Sequence, residues 1–359
     1  MNDSIINFNR RKFLKVAGLS ALPLITGCAR MPRSIENAPT HHTAYGYRNV
    51  PPMAKQTSPG FSFMWRRVKG SFIRPDIPPG HNIAEEIALR NYVDLKEQQT
   101  LTWLGHSAFL LKLQGRTILL DPWLTDTASP LPVGPKRFVP PGISIQNLPP
   151  IDVLVISHSH YDHLDVSTLK NLADKDKIQV LVPLGLKGFL KDLGYQHPQE
   201  LDWQQSASVH GLNFTSLPAI HFSNRGLNDH NETLWCSWVM ESNHQSVFYA
   251  GDTAYSETLF NNIREKIGPV NTAIVPIGAY EPAGVMMPVH TTPEQGLQVG
   301  IDLGARNIVA CHWGTIELSD EPHFEPPVRF LAHAQKLDLA KDSAWVMKIG
   351  ETRLLHHKL

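Results

Sequence analysis

The chain has 359 residues, of which 42% are hydrophobic and 18% are charged, with a formal net charge of zero. These values are ordinary for a globular protein with a sizeable core, and the balanced charge lacks the basic footprint of a nucleic-acid-binding protein, so we expect no nucleic acid as a partner. No run of about 20 apolar residues is present, so no membrane-spanning helix is expected.

The first 28 residues have the layout of an export signal. The basic stretch Arg10-Arg11-Lys-Phe13-Leu14-Lys15 precedes an apolar run at 16–25 that is too short to span a bilayer. The paired arginines resemble a twin-arginine signal, and Thr26-Gly27-Cys28 resembles a bacterial lipobox. In such proteins the cysteine is lipidated and begins the mature chain. The sequence therefore predicts a periplasm-facing lipoprotein of the bacterial cell envelope, held at the membrane surface through Cys28. The alternative is an uncleaved membrane-surface helix with an ordinary cysteine.

Residues 29–95 are rich in Pro, Asn, His and Arg and show little periodicity. We predict a tether followed by an irregular segment that packs on the domain surface. Its one apolar cluster, Phe61-Ser-Phe-Met-Trp65, is expected to cover a core edge or, alternatively, to contact lipid. The pairs His41-His42 and His356-His357 lie near the chain ends in polar context and are expected to be exposed and without a chemical role.

From Thr100 onwards the pattern changes to short apolar runs. The first three, at 101–104, 108–113 and 117–120, are separated by Gly-containing turns and predict an antiparallel meander. Later strands are predicted at 152–157, 178–183, 213–218, 234–240, 246–250, 272–277, 306–311 and 344–349. Helices are predicted between them at 166–174, 184–193, 256–266, 292–303 and 325–335. This order predicts an α/β domain over residues 96–359 with two mixed β-sheets and helices on their outer faces.

One short stretch concentrates metal-binding side chains. His158-Ser-His160-Tyr-Asp162-His163 places three imidazoles and one carboxylate in six residues, directly after the predicted strand 152–157. Imidazole and carboxylate are ligands that zinc and similar divalent metals prefer. One metal does not readily use all four ligands at this spacing, whereas two adjacent metals would.

Three later residues also follow predicted strands, where side chains meet a cleft. They are His221, Asp252 and His312, and Gly251 before Asp252 allows a close backbone approach. A single His after a strand, or a single Gly-Asp pair, is usually a surface or turn feature. The ordered combination favours a metal site.

These residues, in this order, resemble the metallo-β-lactamase fold superfamily. Further stretches resemble its N-acyl-phosphatidylethanolamine-hydrolysing phospholipase D family, among them Pro276-Ile-Gly-Ala-Tyr-Glu-Pro282, Ala250-Gly-Asp-Thr253 and His312-Trp-Gly-Thr315. The similarity covers roughly residues 95 to 355, and the N-terminal third matches the family poorly. The resemblance implies the αββα four-layer sandwich of that fold.

The resemblance also implies a site with two zinc ions, although iron or manganese remains an alternative. It assigns His158, His160 and His221 to one ion, Asp162, His163 and His312 to the second, and Asp252 to a bridging position. His290 matches a catalytic histidine close to the metals, with a hydrogen bond to Thr291 or Thr292 as the plainer alternative. Asp162 is a candidate for proton transfer as well as ligation.

Residues around the ligands are expected to orient them. Candidates are Asp121, Asp165 and His106, each with a plain turn or helix-cap role as the alternative. Tyr161 and Tyr280 are candidates for lining a phosphate pocket, with aromatic packing as the alternative. Cys236 and Cys311 both lie in apolar runs and are expected to be buried free thiols, although a disulfide between them is left open.

The function implied by the resemblance is hydrolysis of a phospholipid headgroup bond, with release of N-acylethanolamine and phosphatidic acid. Alternatives are a metal-dependent hydrolase of another bond, such as a lactone or another phosphodiester, and a non-catalytic metal-binding envelope lipoprotein. Nucleic-acid cleavage is disfavoured by the neutral charge and the export signal. The oligomeric state is left open.

Overall fold

The structure is a computed structural model that describes residues 36–70, 74–131 and 134–355. The predicted export signal, Cys28 and the His356-His357 pair lie outside the described residues. Within them, no helix has both the length and the apolar character needed to cross a membrane.

The described residues form a short two-stranded ribbon, two larger sheets and a set of helices. The strands are β1 (His42–Thr43), β2 (Gly46–Tyr47), β3 (Thr100–Gly105), β4 (Ala108–Leu113), β5 (Arg116–Leu120), β6 (Val153–Val155), β7 (Gln179–Pro183), β8 (His197–Leu201), β9 (Ser206–Val209), β10 (Leu212–Leu217), β11 (Ser237–Glu241), β12 (Ser246–Tyr249), β13 (Thr272–Pro276), β14 (Asn307–Cys311), β15 (Ala344–Trp345) and β16 (Thr352–Leu354). The helices are α1 (Phe61–Gly70), α2 (Glu85–Asp94), α3 (Val166–Asn171), α4 (Lys187–Asp192), α5 (Glu257–Ile267), α6 (Ala283–Met286), α7 (Pro293–Asp302) and α8 (Glu325–Lys336).

Two seven-stranded mixed sheets carry the fold, as predicted. The first has the order β16-β3-β4-β5-β6-β7-β8, and the second has the order β15-β14-β13-β12-β11-β10-β9. The predicted meander is confirmed, since β3, β4 and β5 pair antiparallel, whereas β5 through β8 pair parallel. In the second sheet, β9 through β12 are antiparallel and β12 through β15 are parallel.

The central strands of the first sheet are buried on both faces, because β4 and β6 are apolar at nearly every position. Successive side chains of a strand point to opposite faces. In β6, Val153 and Val155 belong to the large core that also contains the second sheet, while Leu154 packs with Ala88 of α2 and Leu190 of α4. Continuous apolar runs of this kind suit parallel strands covered by another layer on each side.

The expectation that residues 29–95 are irregular is wrong in three places. The chain forms the β1–β2 ribbon, α1 and α2 there. In α2 only Ala88 and Tyr92 are fully buried, four residues apart, so the apolar stripe is too narrow to produce a clear periodic signal. The expectation that His41 and His42 are exposed is also wrong: His41 is buried, and both rings bond to the carboxylate of Asp202.

Edge strands account for most of the remaining differences. β8 and β9 were not predicted, and each is the last strand of its sheet. β8 contains Pro198 and alternates exposed with buried positions, which is typical of an edge and weak as a sequence signal. The strand predicted at 344–349 ends at Trp345, and the chain then turns into β16, which returns to the first sheet beside β3.

Candidate metal centre

The predicted ligand stretch is a loop between β6 and α3. Its backbone turns at His160, whose carbonyl accepts hydrogen bonds from the N–H groups of His163 and Leu164 at 3.1 and 2.8 Å. This turn brings His163 back beside His158, with the ring centroids 4.1 Å apart. His158 Nε2 lies 2.8 Å from His160 Nδ1. The three imidazoles therefore converge on one point at the end of the first sheet.

The second sheet supplies the other three predicted ligands. His221 follows β10, Asp252 follows β12 and His312 follows β14. Asp252 is the centre of the group, because its Oδ2 lies 3.2 Å from His163 Nε2, 3.1 Å from His312 Nε2 and 3.8 Å from His221 Nε2. The structure thus brings together residues that are up to 154 positions apart in the chain, from His158 to His312.

Gly251 is needed at this point because its backbone has φ +58° and lies against the ligand loop. A Cβ at this position would be 2.6 Å from Cβ of Ser157. Only glycine combines that backbone conformation with so close an approach. The Gly-Asp pair is therefore a close contact between the two sheets, rather than an ordinary surface turn.

All seven predicted ligands fall into two neighbouring sets of donor atoms. His158, His160, His221 and Asp252 form one set, and Asp162, His163 and His312 form the other together with His106; within each set the donor atoms lie within 4.8 Å of one another. Among the described residues, Oδ1 of Asp252 and Nε2 of His160 are buried without a hydrogen-bond partner. Buried polar atoms without partners are costly, so these free lone pairs fit a bound metal ion.

Burial keeps the imidazoles of the first set in the neutral form that binds metals. It lowers the pKa of His160 to about 3 and that of His221 to about 4. Burial and the neighbouring His163 also lower the pKa of His158 well below 6.5. Metal ligation requires unprotonated imidazole nitrogens, so these histidines are ready to coordinate at neutral pH without losing a proton.

The two carboxylates attract positive charge to the same place. Burial raises the pKa of Asp252 and Asp162, but the neighbouring histidines together outweigh it. His163 and His312 act on Asp252, and His163 and His106 act on Asp162, so both pKa values lie well below the usual range. Conversely, burial alone lowers the pKa of His163. The negative charges of Asp252 and Asp162 oppose this effect, and the pKa of His163 lies well above 6.5. Two buried carboxylates thus stabilise a cation at this position, which a divalent metal would supply.

Asp121, one of the residues expected to orient the ligands, contacts the ligand loop directly. It follows β5 and is fully buried, and its Oδ2 accepts a hydrogen bond from His163 Nδ1 at 2.7 Å. The same carboxylate accepts bonds from the backbone N–H of Ser157 and from the Tyr249 hydroxyl, each at 2.7 Å. Because Nδ1 of His163 donates to Asp121, its Nε2 points towards Asp252 and is the atom that would bind a metal.

His221 is oriented by residues from two distant segments. Its Nδ1 donates to the carbonyl of Val289 at 2.9 Å, which leaves Nε2 facing the cluster. Its backbone is held by Asn49, whose Nδ2 donates to the His221 carbonyl at 2.8 Å and whose Oδ1 accepts from the His221 N–H at 3.0 Å. Asn49 was missed by sequence reasoning, and no local signal marks it, because its partner lies 172 residues away.

His106 contacts Asp162 directly. Its Nε2 lies 3.0 Å from Oδ2 of Asp162, and burial together with the neighbouring His312 lowers its pKa to about 3. The neutral ring therefore donates this hydrogen bond and fixes the carboxylate. Asp165, by contrast, takes the alternative role: it caps α3 by accepting from Ser167 N at 3.0 Å.

His290 lies beside the cluster, immediately before α7. Its Nδ1 is 3.9 Å from Oδ2 of Asp252 and has no hydrogen-bond partner among the described residues. The threonines considered as its partners bond elsewhere: Thr291 donates to the carbonyl of Pro276, and Thr292 caps α7 by accepting from Gln295 N. The side chain is thus available to a ligand at the metal cluster.

A cavity of about 500 Å³ opens beside the cluster. Four residues of the cluster line it, namely His160, Asp162, Asp252 and His290. Its lining also includes a group of apolar side chains, called here the apolar wall, namely Phe63, Phe222, Val285, Met286, Val289 and Leu318, besides the polar Gln56, Asn224 and Arg225. A polar metal cluster therefore shares one cavity with an apolar wall.

Tyr161 also lines this cavity, whereas Tyr280 does not. The Tyr161 hydroxyl donates to the carbonyl of Arg225 at 2.7 Å, and the Arg225 guanidinium lies 3.9 Å from the ring centroid. Arg225 in turn donates to the carbonyls of Ser159 and Leu164, on the two sides of the ligand-loop turn. Tyr280 is buried against Arg329 and bonds to Glu325, in agreement with the packing alternative.

Cys236 and Cys311 are buried free thiols, as expected, and form no disulfide.

Comparison with known proteins agrees with this architecture. The profile of the Beta-lactamase superfamily domain matches residues 116–313. An uncharacterized protein of Mycobacterium tuberculosis is 39% identical over 241 residues, which is 66% of this chain and 64% of that protein. The N-acyl-phosphatidylethanolamine-hydrolyzing phospholipase D 1 of Caenorhabditis elegans is 36% identical over 288 residues, which is 76% of this chain and 79% of that enzyme.

Solved structures share the fold at low sequence identity. Igni18, a metallo hydrolase from Ignicoccus hospitalis, superposes with a TM-score of 0.54 and 22% identity over 73% of this chain and 100% of that one. A possible metal-dependent hydrolase from Veillonella parvula gives a TM-score of 0.58 and 18% identity over 72% of this chain and 100% of that one. The chain belongs to the beta-lactamase superfamily, a family of metal-dependent hydrolases.

Proposed function

We propose that this member of the beta-lactamase superfamily is a dinuclear zinc phosphodiesterase of the phospholipase D type. Its substrates would be phospholipids of the N-acyl-phosphatidylethanolamine class, and its products N-acylethanolamine and phosphatidic acid. The observation that carries the proposal is the cavity of about 500 Å³ in which the His/Asp cluster faces an apolar wall. The similarity to the phospholipase D of Caenorhabditis elegans supports the choice of bond.

We assign one ion to each of the two donor sets. His158, His160 and His221 would hold one zinc, Asp162, His163 and His312 would hold the other, and Asp252 would lie between them. When bound, a zinc pair supplies positive charge for the phosphate and lowers the pKa of water to about 7, so that hydroxide is available near neutral pH. The mixed imidazole and carboxylate donors suit zinc, although iron and manganese accept the same ligands.

The reaction adds the oxygen of water to phosphorus and breaks the bond from phosphorus to the ethanolamine oxygen. The departing alkoxide must receive a proton. His290 is the candidate for this transfer or for a hydrogen bond to the phosphate, because its side chain faces Asp252 from the cavity side. Asp162 is held by His106, so its carboxylate is fixed for ligation and for proton transfer from the attacking water.

The apolar wall supports a lipid substrate. Phe63, Val285 and Met286 lie together in a small apolar cluster next to the metal residues. Acyl chains would gain about 25 cal/mol for each Å² of apolar surface that they remove from water there. On α1, which contributes Phe63 to the cavity, Phe61 is 85% exposed and Trp65 is 51% exposed, so the same helix also presents apolar surface to the solvent.

We also propose that the protein works at a bacterial envelope membrane after twin-arginine export, with lipid attached to Cys28. Residue 28 lies outside the described residues, so this part rests on the lipobox pattern alone. One acyl chain gives only marginal membrane binding, but lipoprotein modification adds several. Anchoring would keep the cavity next to its substrate.

The proposal is tested by following phospholipid turnover with the purified zinc-loaded protein. N-acyl-phosphatidylethanolamine in mixed micelles should yield N-acylethanolamine and phosphatidic acid, both measured by mass spectrometry. In water enriched in oxygen-18, the label should appear in phosphatidic acid, since the attacking oxygen ends on phosphorus. His160→Ala and Asp252→Ala should abolish turnover, whereas His244→Ala, at an exposed position, should leave it unchanged.

Two results would overturn the proposal. One is a zinc-loaded protein that cleaves no phosphodiester bond in any phospholipid tested. The other is label in the ethanolamine product, which would place the broken bond on the carbon side of the oxygen. Turnover of a lactone in the absence of phospholipid cleavage would favour the alternative hydrolase.

A further inference from the structure

A second group of metal-binding side chains lies apart from the ligand set described above, where the N-terminal segment meets the loop after β8. His41 Nε2 lies 2.6 Å from Oδ1 of Asp202, and His42 Nε2 lies 2.8 Å from Oδ2 of the same carboxylate. The side chains are 7%, 20% and 10% exposed for His41, His42 and Asp202. Two adjacent histidines thus converge on one largely buried carboxylate.

Packing fixes all three side chains. The His41 ring stacks on Trp203 with centroids 4.3 Å apart, and the edge of His42 contacts Tyr47 at 5.1 Å. Oδ1 of Asp202 also accepts from the backbone N–H of Trp203 at 2.7 Å. The three side chains are therefore held close together before any ligand arrives, which lowers the conformational cost of binding even though the donor atoms must still move apart.

The donor set is that of a zinc site with one open position. Two imidazoles and one carboxylate leave a fourth tetrahedral place for water, and the partly exposed His42 provides access from solvent. The present N···O distances are those of hydrogen bonds, in which each Nε2 donates a proton. Zinc would replace these two protons, each ring would carry its proton on Nδ1, and the donor atoms would separate to about 3.3 Å.

The position of this cluster connects it to the larger one. The N–H of Arg48 donates to the His41 carbonyl at 2.9 Å, and the N–H of Tyr47 donates to the carbonyl of Asn231 at 2.9 Å. The next residue is Asn49, which holds the backbone of His221 through two hydrogen bonds. A metal at Asp202 would therefore fix the short segment that carries Asn49.

We infer that His41, His42 and Asp202 form a separate zinc site, with water as its fourth ligand, that fastens the N-terminal segment to the domain. The inference does not depend on the proposed phosphodiesterase activity, because it concerns ligands outside the proposed catalytic set. Its function is to keep Asn49 against His221, so it acts on the catalytic cluster through the backbone alone.

The test counts zinc in the full chain and its variants. Protein stripped with a chelator and reloaded with zinc is measured by plasma mass spectrometry and by competition with a chromophoric chelator. His42→Gln is the informative variant, because glutamine keeps an N–H donor for Asp202 but is a poor zinc ligand. It should bind about one zinc less per chain than wild type. Asp202→Asn should show the same loss, and His244→Ala, at an exposed position, should show none.

A catalytic-site variant separates this inference from the proposed function. His160→Ala should lose zinc from the central cluster while keeping the ion at Asp202, so His160→Ala and His42→Gln should lose zinc additively. Equal zinc content in wild type and His42→Gln would overturn the inference and leave a hydrogen-bonded contact only. If His42→Gln fails to fold, anomalous scattering from zinc-soaked wild-type crystals replaces this test. The inference requires an anomalous peak beside Asp202, and the absence of that peak would overturn it.

Discussion

Replacement of Asp121 by asparagine tests whether the hydrogen bond to His163 prepares the site for metal. The substitution keeps the shape of the side chain and removes its charge. Asp121 is fully buried and accepts bonds from Ser157, His163 and Tyr249. An asparagine places an NH₂ group where one oxygen stood, so it faces a donor in either orientation.

The expected losses of stability and of zinc affinity follow from the hydrogen bonds that the substitution changes. One buried donor loses its acceptor, which costs about 1–3 kcal/mol in the free energy of unfolding. The bond to His163 also loses its charge assistance, so the ring is held less firmly with Nε2 towards the metal position. Loss of such an orienting partner typically weakens metal affinity about 10- to 100-fold. At about 1.4 kcal/mol for each factor of ten, this is about 1.4–2.8 kcal/mol of zinc binding.

The assay is a competition titration of zinc against a chromophoric chelator, combined with turnover at saturating zinc. Asp121→Asn should require more zinc for half-occupancy and recover much of its turnover when zinc is in excess. Tyr249→Phe removes one bond to the same carboxylate and keeps the charge, so its effect should be smaller. Asp192→Asn, at an exposed position, serves as the matched control. Wild-type zinc affinity in Asp121→Asn, together with a lowered free energy of unfolding, would refute the orienting role.

Two further predictions concern residues outside the ligand set. Burial lowers the pKa of His81, and its bond to the carbonyl of Gly314 offsets this only in part, so the folded chain keeps the ring neutral while the unfolded chain protonates it below pH 6.5. The stability that the neutral His81 contributes is therefore complete above pH 6.5 and is lost as the pH falls below that value. In urea unfolding, the free energy of unfolding should fall less on acidification in His81→Gln than in wild type. An equal fall in both proteins would contradict the assignment. Asn49→Ala should weaken zinc binding about tenfold, because the backbone of His221 loses two hydrogen bonds; unchanged affinity in the titration would show that Asn49 is dispensable.

The amino-acid sequence predicted which of these side chains lie together, because each of them follows a strand with a strong apolar pattern. β12 and β14 are buried along nearly their whole length, so their ends, and with them Asp252 and His312, were recognisable. The arrangement of these ends in space follows from the pairing of parallel strands, whose carboxyl ends lie at one edge of a sheet.

What was missed depends on contacts between distant parts of the chain. Asn49 and the His41-His42 pair lie in a segment without periodicity, and their partners are more than 150 residues away. A local pattern does not encode such contacts. Asp165 is a residue that the sequence marked but whose role differs. A carboxylate next to a ligand loop resembles a metal-orienting residue, yet its position at the start of α3 makes Asp165 a helix cap.

The division of the ligands between the two sheets has a consequence for the stability of the whole protein. Four of the proposed ligands follow a strand of the first sheet, and three follow strands of the second. A zinc pair held by both groups would be a non-covalent cross-link across the interface between the sheets. At a free zinc concentration about 100 times the dissociation constant, one such ion adds about 2.7 kcal/mol to the free energy of unfolding. The lifetime of the folded protein would then depend on the zinc supply of its compartment, and starvation for the metal would remove the protein as well as its activity.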